Sequence, residues 1–537
     1  MLKSLNSYKT QHWLLGLVLV WVCVRSFPEI ALDRIDPYDG ALFAANGGLF
    51  LSLVNELGKF LANPVDWLYG YFNQYPALAV RRHPPLFGFT EMLVYLATGV
   101  SVFGAKVTAF LYSIAFAIGI YALSYKIWKD PLLAAITALM VMTTPQIVWL
   151  GTAVRLDMPS VMFSLWAIYH YVEYMRSNRR TSAVYFAAFS VLSLYTYQLP
   201  FFIIGSACLH LIWLKNKEVF RDKTIWLLFG ILAAFLVPLL VEQIYVAMDN
   251  ITASMGGEVE EWKRFHPIQN RYSFEFFIYY IRIWFEYYPV QLLGMMFWAI
   301  LVIRRKITQE EVLLLLAGLT AFAFFTWTRG KDHRYAFYIM IPLVFLAAQG
   351  FRDFVFLIVK DTKYIDPHWF SVGVLAICCL VQSFLLSSPA YYLTGMSEPV
   401  SKILTARSRA NILYSGPRDA AFIFYTRQYD VNRGARVHRA TVQVDKPSKV
   451  ADFIKKEKIN VIAWESGDER TDSIGYGEFR SELERVVRSD DTFKPLTEFK
   501  LDYWAKGKGT QSVLNVFVRQ DSEAQHGIPM SAKLLKK

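Results

Sequence analysis

The chain is short of charge and short of cysteine. Only 19% of its 537 residues are Asp, Glu, Lys or Arg, while hydrophobic residues reach 55% and aromatics 16%. Ordinary soluble domains carry about 25% charge. The deficit excludes disorder, which needs the opposite balance, and it excludes the string of soluble domains that the length would otherwise allow. The four cysteines, Cys23, Cys208, Cys378 and Cys379, all lie in apolar stretches and read as small core residues. Their number and spacing exclude a disulfide scaffold and a cysteine metal site. No basic stripe interleaved with aromatics accompanies the net charge of +12, so nucleic acid is not an expected partner.

Long apolar runs are abundant. Eleven approach the roughly 20 residues that cross about 30 Å of hydrocarbon, near 12–30, 107–127, 131–149, 158–175, 182–198, 199–215, 224–246, 288–303, 311–327, 335–350 and 369–388. A twelfth run, Pro84 to Gly104, is ambiguous. The short basic loops Lys126–Lys129, Arg176–Arg180, Lys215–Lys223 and Arg304–Lys306 resolve it. With eleven crossings and a cytoplasmic N-terminus marked by Lys3 and Lys9, all four loops lie inside, as the positive-inside rule requires. With twelve they all fall outside. The run from Pro84, which opens on two prolines and carries Glu91, is therefore expected to lie along the outer interface.

Charge also divides the chain. Residues 401–537 carry 25 Lys+Arg and 18 Asp+Glu, about 31% of that stretch, against about 14% in the first 400 residues. The expected protein is polytopic and α-helical over 1–390, with a first outer loop at 31–106 that bears interfacial helices and a second at 247–287. A soluble α/β domain over 391–537 follows on the outer side. In that domain, β-like runs at Asn411–Tyr414, Ala421–Tyr425, Asn460–Trp464 and Ser512–Val518 alternate with helical stretches at Lys446–Glu457 and Gly477–Val487. It contains no Gly-rich phosphate loop and no nucleophile elbow, so a supporting role is expected of it.

The candidate chemistry sits at the expected outer face. Asp33, Asp36 and Asp39 fall within seven residues just past the first crossing, and Arg155 and Asp157 stand immediately before another. Carboxylates at a membrane interface are costly to desolvate and persist where they pair or act. One can serve as a general base and the other as its orienting partner or as a ligand of a divalent metal ion. The alternative is that Asp157 simply pairs with Arg155 or another cation. Two cationic clusters accompany the acids. Arg81, Arg82 and His83 precede the Pro-Pro helix start, a position suited to a phosphate or to a lipid headgroup. Lys331, His333, Arg334 and Tyr335 form a second cluster that is basic yet outside, which points to an anionic ligand.

These residues resemble the GT-C superfamily of polyprenyl-phosphate-sugar-dependent glycosyltransferases, in particular its protein O-mannosyltransferase and lipid A aminoarabinose transferase branch. The resemblance covers about residues 10–350. Asp39-Gly40-Ala41-Leu42-Phe43-Ala44 is similar to the family's Asp-Glu-x-x-Tyr-Ala, with Gly40 in place of the usual Glu and Asp36 as a rival for the catalytic acid. His83-Pro84-Pro85-Leu86 resembles the His-Pro-Pro-Leu of the mannosyltransferases, Asp157 matches the second acidic position, and Lys331 and Tyr335 resemble residues beside the lipid phosphate.

The resemblance implies an inverting transfer from a polyprenyl-phosphate sugar donor to a lipid, glycan or protein acceptor. Asp39 would take the acceptor's proton, and His83, Arg81 or Arg82, Lys331 and Arg334 would stabilise the departing lipid phosphate. A transporter or flippase of lipid-linked or anionic substrates is the competing class, but it would show internal repeats and mid-span charges, and neither is found. The lack of a disulfide framework in a large outer domain favours a bacterial inner membrane with the site facing the periplasm over an endoplasmic reticulum membrane.

Overall fold

The computed structural model describes residues 13–78, 83–254, 273–328, 331–361, 366–386, 390–469, 471–472, 475–505 and 508–520, with backbone alone over 243–254. The chain divides into two compact units. One comprises Met1–Leu32 with Ala79–Ala390, and the other Asp33–Leu78 with Tyr391–Lys537. One break falls at 390/391, where the sequence placed it, and the first part of the long first loop, Asp33–Leu78, groups with the C-terminal residues instead of with the helices.

The first unit is helical. Each of the eleven expected runs is helix in the structure, from Trp13–Ala31 to Pro367–Leu385. Among the described residues, six helices are long and apolar enough to cross a membrane, seven if the pair Phe274–Tyr287 and Pro289–Val302, bent by 110°, counts as one. This is fewer than the eleven expected. The run near 131–149 breaks at Thr143-Thr144 into Pro131–Met142 and Pro145–Leu150, because the residue before a proline is forced out of the helical region. A helix of 12 residues such as Pro131–Met142 reaches only about 18 Å. The run opened by Pro84 and Pro85 forms the 13-residue helix Leu86–Thr98, too short for a straight crossing, and it ends at Gly99, whose φ of 70° suits glycine.

Helix Tyr335–Val359 is the core of this unit. Every residue from Ala336 to Phe351 is buried, as expected of a helix apolar on all sides. Small residues let its neighbours approach closely. A Cβ on Gly350 would stand 2.4 Å from the carbonyl oxygen of Gly294, and one on Gly294 2.3 Å from that of Ala347, so helices Pro289–Val302 and Tyr335–Val359 touch backbone to backbone there. Lys106, 5% exposed, reaches across from helix Val102–Trp128 and donates to the carbonyls of Glu29 (2.7 Å) and Leu32 (2.8 Å), closing the end of helix Trp13–Ala31. Leu17, Val20, Val24 and Phe27 on that helix are exposed, a face suited to lipid in a multi-pass membrane protein.

The second unit is built on one six-stranded sheet. Its strands are β1 (Tyr391–Thr394), β2 (Asn411–Ser415), β3 (Arg436–Arg439), β4 (Val461–Ser466), β5 (Phe493–Ala505) and β6 (Lys508–Arg519), in the order β1-β5-β6-β4-β2-β3. β3, β2 and β4 are parallel and the remaining pairs antiparallel. Ala421–Tyr425, expected as a strand, lies in helix Asp419–Tyr429. A short continuous apolar run fits either state, and the parallel step from β2 to β3 requires a helical crossover.

The segment from Asp33 completes this unit. Ile35 and Leu393 of β1 form an antiparallel bridge, Tyr425 donates to Asp33 (3.0 Å), Arg427 to Ser52 (2.9 Å), and Tyr75 to Asp430 (2.7 Å). Arg433 donates to Glu56 (2.7 Å) and lies over the ring of Tyr71. Trp67 and Tyr71 thus face an arginine of their own unit.

Gly350→Val is expected to destabilise the protein by about 1–3 kcal/mol or more through overpacking, read as a lower Tm of the full-length protein in detergent. An unchanged Tm would show that the two helices do not meet at Gly294.

Candidate functional site

In the helical unit, chemistry-bearing residues converge where several helices begin or end. Asp157 is the first residue of helix Asp157–Ser177 and is 2% exposed, a position where the helix dipole favours a carboxylate. Its Oδ1 accepts from the hydroxyl of Tyr338 at 2.8 Å, and its Oδ2 lies 3.8 Å from Nη1 of Arg334. Arg334 stands just before helix Tyr335–Val359, and its Nε and Nη2 donate to Asp332 Oδ2 at 2.7 Å while its backbone N–H donates to Oδ1 at 2.9 Å. One guanidinium is therefore placed between two carboxylates.

Burial by itself would raise the Asp332 carboxyl. The adjacent Arg334 guanidinium, followed by His333 and the Arg334 amide, outweighs it and holds the group well below the usual carboxylate range.

Gln146 fixes this arrangement from behind. Its side-chain N–H donates to the carbonyl of His333 at 3.0 Å, and its side-chain oxygen accepts from the hydroxyl of Tyr288, the residue at the sharp helix bend. The His333 ring, 4% exposed, stacks on Trp149 with centroids 6.2 Å apart, and Arg155 lies 5.1 Å from the Trp149 ring. Lys331 donates to the carbonyls of Phe325 (2.9 Å) and Thr326 (2.5 Å), capping helix Gln309–Trp327, and sits 3.8 Å from the centroid of Phe276. Tyr335 stacks on Phe325 at 4.6 Å.

The structure thus gathers Arg155, Asp157, Lys331, His333, Arg334 and Tyr335 in one region of one unit. His83 meets Tyr197 edge-on at 5.4 Å. Arg81 and Arg82, like Arg264 and Arg271 of the second loop, lie outside the described residues.

Asp36 and Asp39 belong to the sheet unit. Asp36 is 5% exposed and its Oδ1 accepts from the Tyr38 N–H at 3.1 Å, while its carbonyl accepts from Ala41 N–H at 2.9 Å. Asp39 begins helix Asp39–Asn55 and is half-buried.

Two members of the helical cluster escaped the sequence reading. Asp332 stood unremarked inside a run read for its cations, and its spacing from Arg334 was the signal. Tyr338 follows Arg334 by one helical turn, a relation visible only once the helix start is known.

Among the described residues, no three His, Cys, Asp or Glu side chains come together as a metal site would need. Asp157 and Asp332 face Arg334 instead of leaving an open cage of oxygens, a donor set that does not fit a divalent ion.

Two of the comparisons with known proteins converge. Residues 82–241 match the family described as dolichyl-phosphate-mannose-protein mannosyltransferase. ArnT from Cupriavidus metallidurans, solved bound to undecaprenyl phosphate, superposes with a TM-score of 0.58 at 14% identity, covering 93% of this chain and 97% of that one. The apo form of that ArnT gives 0.54 at 13% identity over 93% of this chain and 97% of that one. The chain has the GT-C fold. The oligosaccharyltransferase of Archaeoglobus fulgidus is similar as well, with a TM-score of 0.51 at 11% identity over 94% of this chain and 75% of that one. No curated protein matches in sequence. The GT-C architecture here is a helical membrane unit joined to a sheet-based unit, and it agrees with the fold class that the motifs implied.

Asp332→Asn is expected to lower stability at neutral pH, because the ionised carboxylate holds Arg334. A depressed carboxyl stabilises the fold above its unfolded pKa and loses that contribution as pH falls toward its folded value. The Tm gap between variant and wild type should therefore narrow below about pH 4. A gap that stays constant with pH would dissociate Asp332 from the charge cluster.

Proposed function

We propose that the protein is an integral-membrane inverting glycosyltransferase that moves a sugar from a polyprenyl-phosphate donor to a hydroxyl of a lipid, glycan or protein at the extracytoplasmic face. The observation that carries this reading is the Arg334 guanidinium held between Asp157 and Asp332 in a GT-C fold. Undecaprenyl phosphate, bound to the similar ArnT, is the carrier chemistry that such a fixed cation suits.

In the reaction the acceptor oxygen attacks the anomeric carbon from the face opposite the phosphate. The bond between that carbon and the phosphate oxygen breaks, and the electron pair leaves with the lipid phosphate. Asp39 takes the acceptor's proton. The leaving phosphate gains negative charge in the transition state, so a guanidinium already oriented by two carboxylates stabilises it without reorganising. Arg is suited to this role because its planar fork matches phosphate oxygens. Asp157, bonded to Tyr338, orients Arg334, and Asp332 fixes it through Nε and Nη2. Lys331, Arg155 and His83 with Arg81 and Arg82 add positive potential for the anionic donor. A bacterial inner membrane is the proposed setting.

The test is incubation of the purified full-length protein with labelled polyprenyl-phosphate sugars and candidate acceptors. Asp39→Asn should reduce turnover by roughly 10²–10⁴-fold with donor binding intact. Arg334→Ala should weaken donor binding and turnover together. Wild-type turnover in the Asp39 variant would remove the base, and donor uptake into vesicles without transfer would replace the transferase reading by a transporter.

A further inference from the structure

The parallel trio in the sheet unit has a topological switch point. From β2 the chain steps to β3 on one side and then to β4 on the other, so the carboxyl ends of β2 and β4 flank the crevice where open α/β sheets take ligands. Here the chain's own ions fill that position. Arg418, 0% exposed, pairs with Glu465 and Asp468 and donates to Ser512 at 3.0 Å. Glu465 also accepts from Tyr414. A Cβ on Gly416 would come within 2.7 Å of the Glu465 carboxylate, so a larger residue there would displace these ions.

The cluster leads directly to the Asp39 segment. The Arg418 guanidinium lies 5.1 Å from the ring centroid of Tyr503 on β5, and Tyr503 meets Tyr38 edge-on at 6.1 Å. Tyr38 immediately precedes Asp39, at the N-terminal boundary of helix Asp39–Asn55. Tyr503 is also the register partner of Leu393. The backbone of Leu393 donates to Ile35 at 2.8 Å and accepts from it at 3.4 Å. Sheet and ring thus hold the same seven-residue stretch at two points, through the backbone at Ile35 and through the side chain at Tyr38.

We infer that the C-terminal sheet sets the position of the Asp39 carboxylate, with Tyr503, backed by the buried Arg418, Glu465 and Asp468, as the positioning residue. The inference rests on Asp39 being the base of the proposed transfer, and it assigns the C-terminal residues a part in turnover. A base displaced by about 1 Å costs as much as 10²-fold in rate, whereas donor binding does not depend on where that base stands.

Tyr503→Leu in the full-length protein should lower kcat by about 10- to 100-fold with donor KM unchanged, and Tyr503→Phe, which keeps the ring, should restore kcat. Wild-type kcat in Tyr503→Leu together with an inactive Asp39→Asn would overturn the positioning role while leaving the transferase intact. An active Asp39→Asn would overturn both.

Should the leucine variant fail to fold, the double variant Ile35→Cys, Leu393→Cys decides. None of the native cysteines lies in the sheet unit, so a new disulfide there is unambiguous. Full turnover with that disulfide closed supports the inference. Failure of the disulfide to form, or turnover lost on oxidation and recovered with reductant, overturns it.

Discussion

A carboxylate buried at the end of a membrane helix has to be met by a fixed partner, and for Asp157 the cation beside it is Arg334. Desolvating one ion next to hydrocarbon costs several kcal/mol, so Asp157 at 2% exposure needs both the Arg334 charge and the Tyr338 hydroxyl. Asp332 supplies the second carboxylate, and its paired bonds remove the guanidinium's rotational freedom. Gln146 extends the constraint by tying the His333 backbone to the bend at Tyr288. Helix starts, a bend and a loop thereby become one rigid assembly around a single charge.

The ions at the opposite ends of the same helices do different work. Arg176 pairs with Glu310 at 2.7 Å and Arg352 with Asp130 at 2.6 Å, while Lys126 pairs with Glu173 and Arg305 with Glu311. Each of these links an acid to a base locally, and most are partly exposed, where such pairs are worth roughly 0–1 kcal/mol. Three of the four belong to the basic loops that the positive-inside rule places together. The cluster at Arg334 is instead backed by Trp149, Tyr288, Phe325 and Tyr335, whose rings lower the local dielectric and strengthen every charge there. Topology signalling accounts for most of the first set of charges and leaves the second unexplained, which is why the second is the one proposed to carry the chemistry.

Much of this was legible in the sequence because hydrocarbon thickness imposes a length on every crossing, and all eleven runs are helical. What run length could not foresee is that Pro145 breaks one helix and that the chain turns by 110° at Tyr288, between Phe274–Tyr287 and Pro289–Val302. The strand-like reading of Ala421–Tyr425 failed because burial on all sides erases the period that separates helix from strand. The Asp33–Leu78 segment was read with the membrane part because it precedes most of the crossings. Its bonds to Leu393, Tyr425, Arg427, Asp430 and Arg433 are long-range pairings that local composition does not encode. Asp332 went unnoticed because a run of cations was read by its sign alone, although buried cations have to be balanced.

The rivalry between Asp36 and Asp39, left open by the motif, can be argued from what each carboxylate does in its own unit. Asp36 is 5% exposed, and its side chain accepts from Tyr38 N–H while its backbone carbonyl accepts from Ala41 N–H. It shapes the turn into the helix, a local use typical of Asp. A general base must reach an external proton within about 3 Å, which a carboxylate turned onto its own backbone does poorly. Asp39 is one helical position beyond that turn and half-buried, and the turn beneath it is held by Asp36. On this reading the two acids are successive parts of one device, and replacing Asp36 would act on turnover only by loosening the residue that follows it.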